Sequence, residues 1–133
     1  VGVPERIVVV GSGAAGIGAA AAARATDPDA EVSILTGSGD TAGGFDRLFL
    51  AGAQTCIDAG IMLRHGTPVT GIDVGRRVLE VEGGEALSWD RLVLTSGAEP
   101  QGADTPPADL EGLYSVGDIP PNGAWDEVLG AAK

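Results

Sequence analysis

Ile7-Val8-Val9-Val10-Gly11-Ser12-Gly13-Ala14-Ala15-Gly16 is the stretch on which the fold turns. Four consecutive β-branched residues read as a strand buried on both faces. The glycine turn that follows opens into Ile17–Thr26, a run made mostly of alanine, with high helix propensity and little bulk. Such a helix can lie very close to a sheet. Pro28 disfavours helical geometry at Asp27 and ends the run. Glu31-Val32-Ser33-Ile34-Leu35 then reads as a second strand. A strand, a short helical crossover and a strand require parallel pairing and a right-handed connection. The glycines of the turn are expected to differ in role, with Gly11 for the tight bend, Gly13 for main-chain approach to a pyrophosphate, and Gly16 for close helix–strand packing. The helix start offers unpaired N–H groups and about half a positive charge, which suits a phosphate. Ala14 and Ala15 complete that candidate anion site.

The wider composition narrows the function classes. The chain has 133 residues, 44% of them hydrophobic, which suits one domain over residues 1–133. No apolar run approaches the ~20 residues needed to span a bilayer, and Val1–Gly18 lacks a basic leader, so no membrane insertion and a cytoplasmic location are expected. Nineteen acids against eight bases give a net charge of −11, which argues against nucleic acid as a partner. One cysteine and one histidine exclude a disulfide framework, a CxxC pair and a His-rich metal cluster; no metal site is expected. Twenty-two glycines imply either a poorly ordered chain or many tight backbone approaches, and where they fall decides between the two.

Further along, Phe45–Met62 carries apolar residues at helical spacing and reads as one or two short helices broken near Gly52. Strands are expected at Met62–Arg64, Val69–Asp73, Arg77–Val81 and Ala86–Ser88. Gly66, Gly75 and Gly83-Gly84 separate them as turns, the pattern of an antiparallel meander. Arg91–Thr95 is again a buried-type strand, ending at Ser96-Gly97. Residues 99–112 hold three prolines and no periodicity, and read as a linker. Gly112–Asp118 reads as a short strand ending in a glycine turn, and Trp125–Lys133 as a final helix. Twenty residues past Gly16, where adenine dinucleotide sites usually carry an acid for the ribose hydroxyls, stands Thr36. Threonine cannot grip two hydroxyls as a carboxylate does, although Asp40 is close enough in sequence to reach back. No Arg or Lys lies between Arg24 and Arg47 to meet a 2′-phosphate.

The order of these motifs resembles the FAD-binding domain of the pyridine-nucleotide-disulfide oxidoreductase superfamily, which includes NADH oxidases, ferredoxin reductases and coenzyme A disulfide reductases. Val8–Gly16 with Ala20 looks like the family's GxGxxGxxxA. Gly66-Thr67-Pro68-Val69-Thr70-Gly71-Ile72-Asp73 is similar to its G-x-x-V-x-x-I-D strand. Trp89–Pro100 resembles Y-D-x-L-V-L-A-T-G-A-x-P, and Gly112–Asp118 resembles G-[VIL]-[YF]-A-x-G-D. Phe45-Asp46-Arg47-Leu48 is similar to a Y-x-R-x-x-L segment. The resemblance covers about residues 5–118. It implies FAD as cofactor, with the main chain of Val69 against adenine, Arg47 near the adenosine half, and Asp118 on a ribityl hydroxyl. Candidate cofactor-binding residues are therefore Gly11, Gly13, Ala14, Ala15, Gly16, Thr36, Arg47, Val69, Thr95, Ser96, Gly97, Gly117 and Asp118. The implied fold is a Rossmann-like three-layer α/β domain, a parallel sheet plus a small antiparallel β-meander.

Family members carry an NAD(P)H-binding domain, with its own glycine fingerprint, between the third and fourth boxes. Here 18 residues separate Ala98 from Gly117, and a second fingerprint is absent. The expectation is a redox or electron-transfer module without its own nicotinamide site, a natural minimal form or an engineered truncation that also lacks the C-terminal interface domain. A protein redox partner, or a second copy of the chain, is expected to cover the flavin face so exposed. Two other classes stay open: a structural or interaction subunit with a degenerate dinucleotide fold, and an NAD(P)- or AMP-binding domain. No catalytic side chain is assigned. Cys56 reads as a packed thiol, His65 as a surface or helix-end residue, and Arg64, Arg76 and Arg77 as solvated turn charges. Trp89 reads as core packing, while Trp125 and Asn122–Asp126 fit packing and a flavin-side role equally.

Overall fold

Four parallel strands form the middle layer of the molecule: β1 (Arg6–Val10), β2 (Glu31–Leu35), β3 (Met62–Arg64) and β7 (Arg91–Leu94), in the order β3-β2-β1-β7. The computed structural model describes residues 2–37, 46–97 and 130, and for 46–51 the backbone alone. Helices α1 (Ala14–Thr26) and α2 (Asp46–Asp58) are the crossovers of two successive β-α-β units. Strands β4 (Val69–Asp73), β5 (Val78–Val81) and β6 (Ala86–Ser88) make a separate antiparallel sheet. This is the three-layer arrangement expected from the residues.

Strand β1 explains why the layers stack. Its side chains alternate, so Ile7 and Val9 join Ala20, Val32, Ile34, Cys56 and Ile61 in a core beneath the helices. Val8 points the other way, into a second core with Leu35, Leu79 and Val81 under the meander. All three are at most 6% exposed, as a strand covered on both faces requires. Glycine and alanine let α1 approach closely: Gly16 and Ala20, one turn apart, are its buried residues.

Three expectations change. The helix starts at Ala14 rather than Ile17, because Gly13, with ψ 178°, is its extended N-cap and Gly16 lies inside the first turn. Gly52 does not break the second helix, which runs unbroken over Asp46–Asp58; the glycine faces Ile17 of α1 and serves the helix–helix contact. Met62–Arg64 is not part of the meander. A helix between two strands returns the chain to the end of the sheet from which it set out, so β3 pairs parallel with β2, Ile34 opposite Leu63. Ile61 and Leu63 then pack into the helix-side core. The meander keeps the other three strands, turning at Gly83 and Gly84 with positive φ, and at residues 74–77, where Gly75 lies in the turn as expected and Arg77 takes the positive φ (54°).

Long-range polar contacts set the register. The Arg6 backbone N–H donates to Asp90 Oδ2 at 2.8 Å, and its guanidinium donates to both carboxylate oxygens at 3.0 and 3.2 Å. The Asp90 N–H returns a bond to the Arg6 carbonyl at 2.9 Å. These bonds hold the Asp90 carboxyl below its ordinary range, with the Arg6 side chain as the main cause. They align β7 with β1 and so bring Thr95 to the glycine turn. Arg64 is not a purely solvated charge, since it pairs with Glu85 of the meander at 2.6 Å. The predicted linker 99–112, the strand at 112–118 and the helix from Trp125 lie outside the described residues, apart from Gly130, which is helical.

Candidate functional site

The glycine turn is a knot tied by backbone atoms. Gly11 has φ +108°, a conformation that favours glycine, and its N–H donates to the Leu35 carbonyl at 2.8 Å. A Cβ at Gly11 would strike the Thr95 carbonyl, and a Cβ at Gly16 would strike the carbonyl of Gly11. Thr95 closes the knot: its N–H reaches the Val10 carbonyl at 2.8 Å, and its hydroxyl the Val10 and Gly11 carbonyls at 2.9 and 3.3 Å. The protein itself therefore demands glycine at 11 and 16.

At Gly13 it makes no such demand. The residue has φ −66° and ψ 178°, open to any amino acid, and a Cβ there would meet no atom within 4 Å. What lies beside it is a cleft of about 900 Å³ at the carboxyl ends of β1, β2 and β7. Its walls come from Val10–Ala14, Ile17 and Gly18, from Leu35 and Gly37, from Gly52, from Thr67–Val69, and from Thr95 and Ser96. None of these described lining residues is charged. The first turn of α1 carries no acid, and no side chain caps it. The helix geometry leaves the leading N–H groups without carbonyl partners, so they supply the positive end of the site. The cleft thus combines apolar walls with one corner of unpaired N–H donors, an arrangement able to take an anionic group. Among the described residues no cluster of His, Cys, Asp or Glu could hold a metal.

A profile of the family described as "pyridine nucleotide-disulphide oxidoreductase" matches residues 5–120. The chain belongs to that family. Members of the pyridine nucleotide-disulphide oxidoreductase family are FAD-dependent oxidoreductases. Two curated relatives are each 28% identical. One is the CoA-dependent NAD(P)H sulfur oxidoreductase of Pyrococcus abyssi, matched over 90% of this chain and 30% of its own. The other is the ferredoxin–NAD(+) reductase component of the biphenyl dioxygenase system of Paraburkholderia xenovorans, over 94% and 34%. The chain therefore spans about a third of the length of these relatives. The covalent putidaredoxin reductase–putidaredoxin complex superposes with a TM-score of 0.61 at 26% identity, covering 75% of this chain and 27% of that one.

Of the residues picked from sequence, Gly11, Gly13, Ala14, Val69, Thr95 and Ser96 line the cleft of this family member, and Gly16 lies beneath it. Ala15 is exposed on the first turn of α1, and Gly97 (φ +86°) follows Ser96. Thr36 is 1% exposed. Its hydroxyl donates to the Gly37 carbonyl at 3.3 Å, its N–H to the Arg64 carbonyl, and its carbonyl accepts from Thr67 N–H at 2.8 Å. The main chain at Thr36 thereby fastens Thr67–Val69 to the end of β2. Arg47 lies in the first turn of α2, in the part described by backbone alone; Gly117 and Asp118 fall outside the described residues.

Several lining residues were not legible in the sequence. Ser12 is 5% exposed and lines the cleft beside Gly13; its position inside the fingerprint was the available signal. Ile17 and Gly52 carry no motif that marks them. Cys56 is buried in the helix-side core, and burial pushes its thiol up, as expected of a packed residue. His65 is exposed. Trp89 packs against the meander-side core. Trp125 and 122–126 lie outside the described residues. No described helix is long and apolar enough to cross a membrane.

Proposed function

We propose that this chain is a single FAD-binding domain that acts as an electron-transfer module, receiving electrons from outside itself because it has no nicotinamide site. The observation that carries the reading is Gly13. It is a glycine that neither a close contact nor a positive φ requires, standing at a helix start with no side-chain cap in a cleft whose described lining is uncharged. A ligand that must touch the main chain supplies the missing reason.

In this reading the N–H groups at Gly13, Ala14 and Ala15 hold the diphosphate of FAD. The Val69 main chain faces adenine, Thr36 and Gly37 lie at the ribose, and Arg47 approaches the adenosine half. Thr95, Ser96 and Gly97 continue the floor toward the flavin, and Gly117 and Asp118 hold the ribityl chain. Bound FAD supplies one- and two-electron transfer; the protein binds it, orients it and shields its adenosine half from water. The 18 residues between Ala98 and Gly117 act as a linker, too few for a second dinucleotide domain. The electron donor is therefore external, and a protein redox partner or a second copy of the chain covers the flavin face left open. The superposed putidaredoxin reductase is in a complex with putidaredoxin, which supports a protein redox partner here. The proposed setting is the cytoplasm.

A second reading, a subunit that keeps the fold but holds FAD weakly, draws on Thr36, a buried threonine where a ribose-gripping acid would stand. One measurement separates the two. Apo-protein is reconstituted with FAD, desalted and heat-denatured, and the supernatant is run by HPLC. Stoichiometric FAD supports the module; NAD, FMN or no nucleotide refutes it.

A further inference from the structure

Glycine is the poorest helix former after proline, yet Gly52 stands in the middle of α2 in ordinary helical geometry. The backbone gives no reason for it, since no positive φ occurs there. The reason lies on α1. A Cβ at Gly52 would run into Cδ1 of Ile17, with Cγ1 of the same side chain at 3.4 Å and Cγ2 at 3.6 Å. Three atoms of one isoleucine thus fill the notch that the missing side chain leaves. Ile17 is also a wall of the cleft, as is Gly52, and it packs partly against the helix-side core.

We infer that Gly52 is a positioning residue that seats Ile17 against α2 and so keeps the adenosine side of the cleft wide enough for its ligand. The inference rests on the FAD reading above. A β-branched residue in a helix has essentially one χ1 setting, so Ile17 can yield only by rotating its terminal methyl. The core side is closed by Val9, Ala20 and Ile34, all 0% exposed. The open direction is the cleft. A methyl swung there takes up volume in the cleft that, on the FAD reading, the adenosine half fills.

The test uses the full chain and three variants: Gly52→Ala, Ile17→Val, and the pair. Each is titrated with FAD as apo-protein, melted without ligand, and read by the ¹³C shift of the Ile17 δ1 methyl where that methyl exists. In Gly52→Ala the methyl shift moves, and FAD binding weakens about tenfold as the displaced methyl competes with the ligand for the cleft. Its melting temperature does not fall, because alanine is the better helix former and a flexible side-chain end can move. Ile17→Val removes the obstructing methyl, and in the pair it restores FAD affinity to within about threefold of wild type, the non-additivity expected of touching residues. Wild-type affinity in Gly52→Ala overturns the inference, as does a loss that Ile17→Val leaves unrepaired. A wild-type protein that takes up no FAD refutes the FAD reading itself, and the inference falls with it.

Discussion

Replacing Gly13 with serine should strengthen the fold and weaken the ligand complex, a combination that a purely structural glycine cannot produce. The position has φ −66° and ψ 178°, is the N-cap of α1, and offers an added Cβ open space to 4 Å. Serine is a better N-cap than glycine by a few tenths of a kcal/mol, since its hydroxyl can accept from the first-turn N–H groups. The apo-protein should therefore melt slightly higher, or unchanged. The ligand meets the opposite effect. A Cβ stands about 1.5 Å off the main chain and holds a diphosphate away from the amides by a comparable distance. A hydrogen bond to a charged group contributes about 1.5–3 kcal/mol, so losing one weakens binding roughly 10- to 150-fold. The serine hydroxyl also competes for the same N–H groups. Titrating apo-protein with FAD by flavin fluorescence, alongside calorimetric melting without ligand, measures both effects. Unchanged FAD affinity in Gly13→Ser would refute the placement of the diphosphate. A drop in apo stability matching the loss of binding would show that the glycine serves the fold.

Three other outcomes follow from the same geometry. Asp118→Ala should weaken FAD by about 1.5–3 kcal/mol, the range for a hydrogen bond to a charged group; equal affinity would place the ribityl chain elsewhere. On the module reading, flavin reduction by NADH should be slow and unsaturable while dithionite reduces it readily, because a domain without a nicotinamide site lacks the positioning that lowers a hydride-transfer barrier by ~7–11 kcal/mol; stopped-flow reduction saturating at micromolar NADH would overturn that reading. Asp90→Asn should lower the melting temperature at pH 7. The Asp90 carboxyl is held low in the fold by Arg6, so its contribution is complete above the unfolded value of about 3.9 and disappears as pH falls through the folded one. The gap between wild type and variant should close at acid pH, and a gap unchanged at pH 3 would remove the charge from the account.

How far the residues alone could be read depended on how local each feature is. β1, the glycine turn, α1 and β2 occupy one continuous stretch, and their signals are near neighbours: a β-branched run, glycines at 11, 13 and 16, an alanine helix, Pro28. Steric rules acting within a few residues suffice there, so the elements and the glycine turn between them were legible in the residues themselves. The meander was legible for the same reason, since its glycine turns join adjacent strands. Only the tertiary structure decided that Met62–Arg64 joins the parallel sheet, because a three-residue strand takes its partner from the core it completes and not from its own propensity. Only the folded chain makes Gly52 intelligible, since its reason is an isoleucine 35 positions earlier. The same holds for Thr95, whose hydrogen bonds span 84 and 85 residues and go to carbonyl oxygens that every residue possesses. A backbone acceptor carries no side-chain signature, so sequence can announce the donor and the glycine, while the distance between them exists only once the sheet has formed.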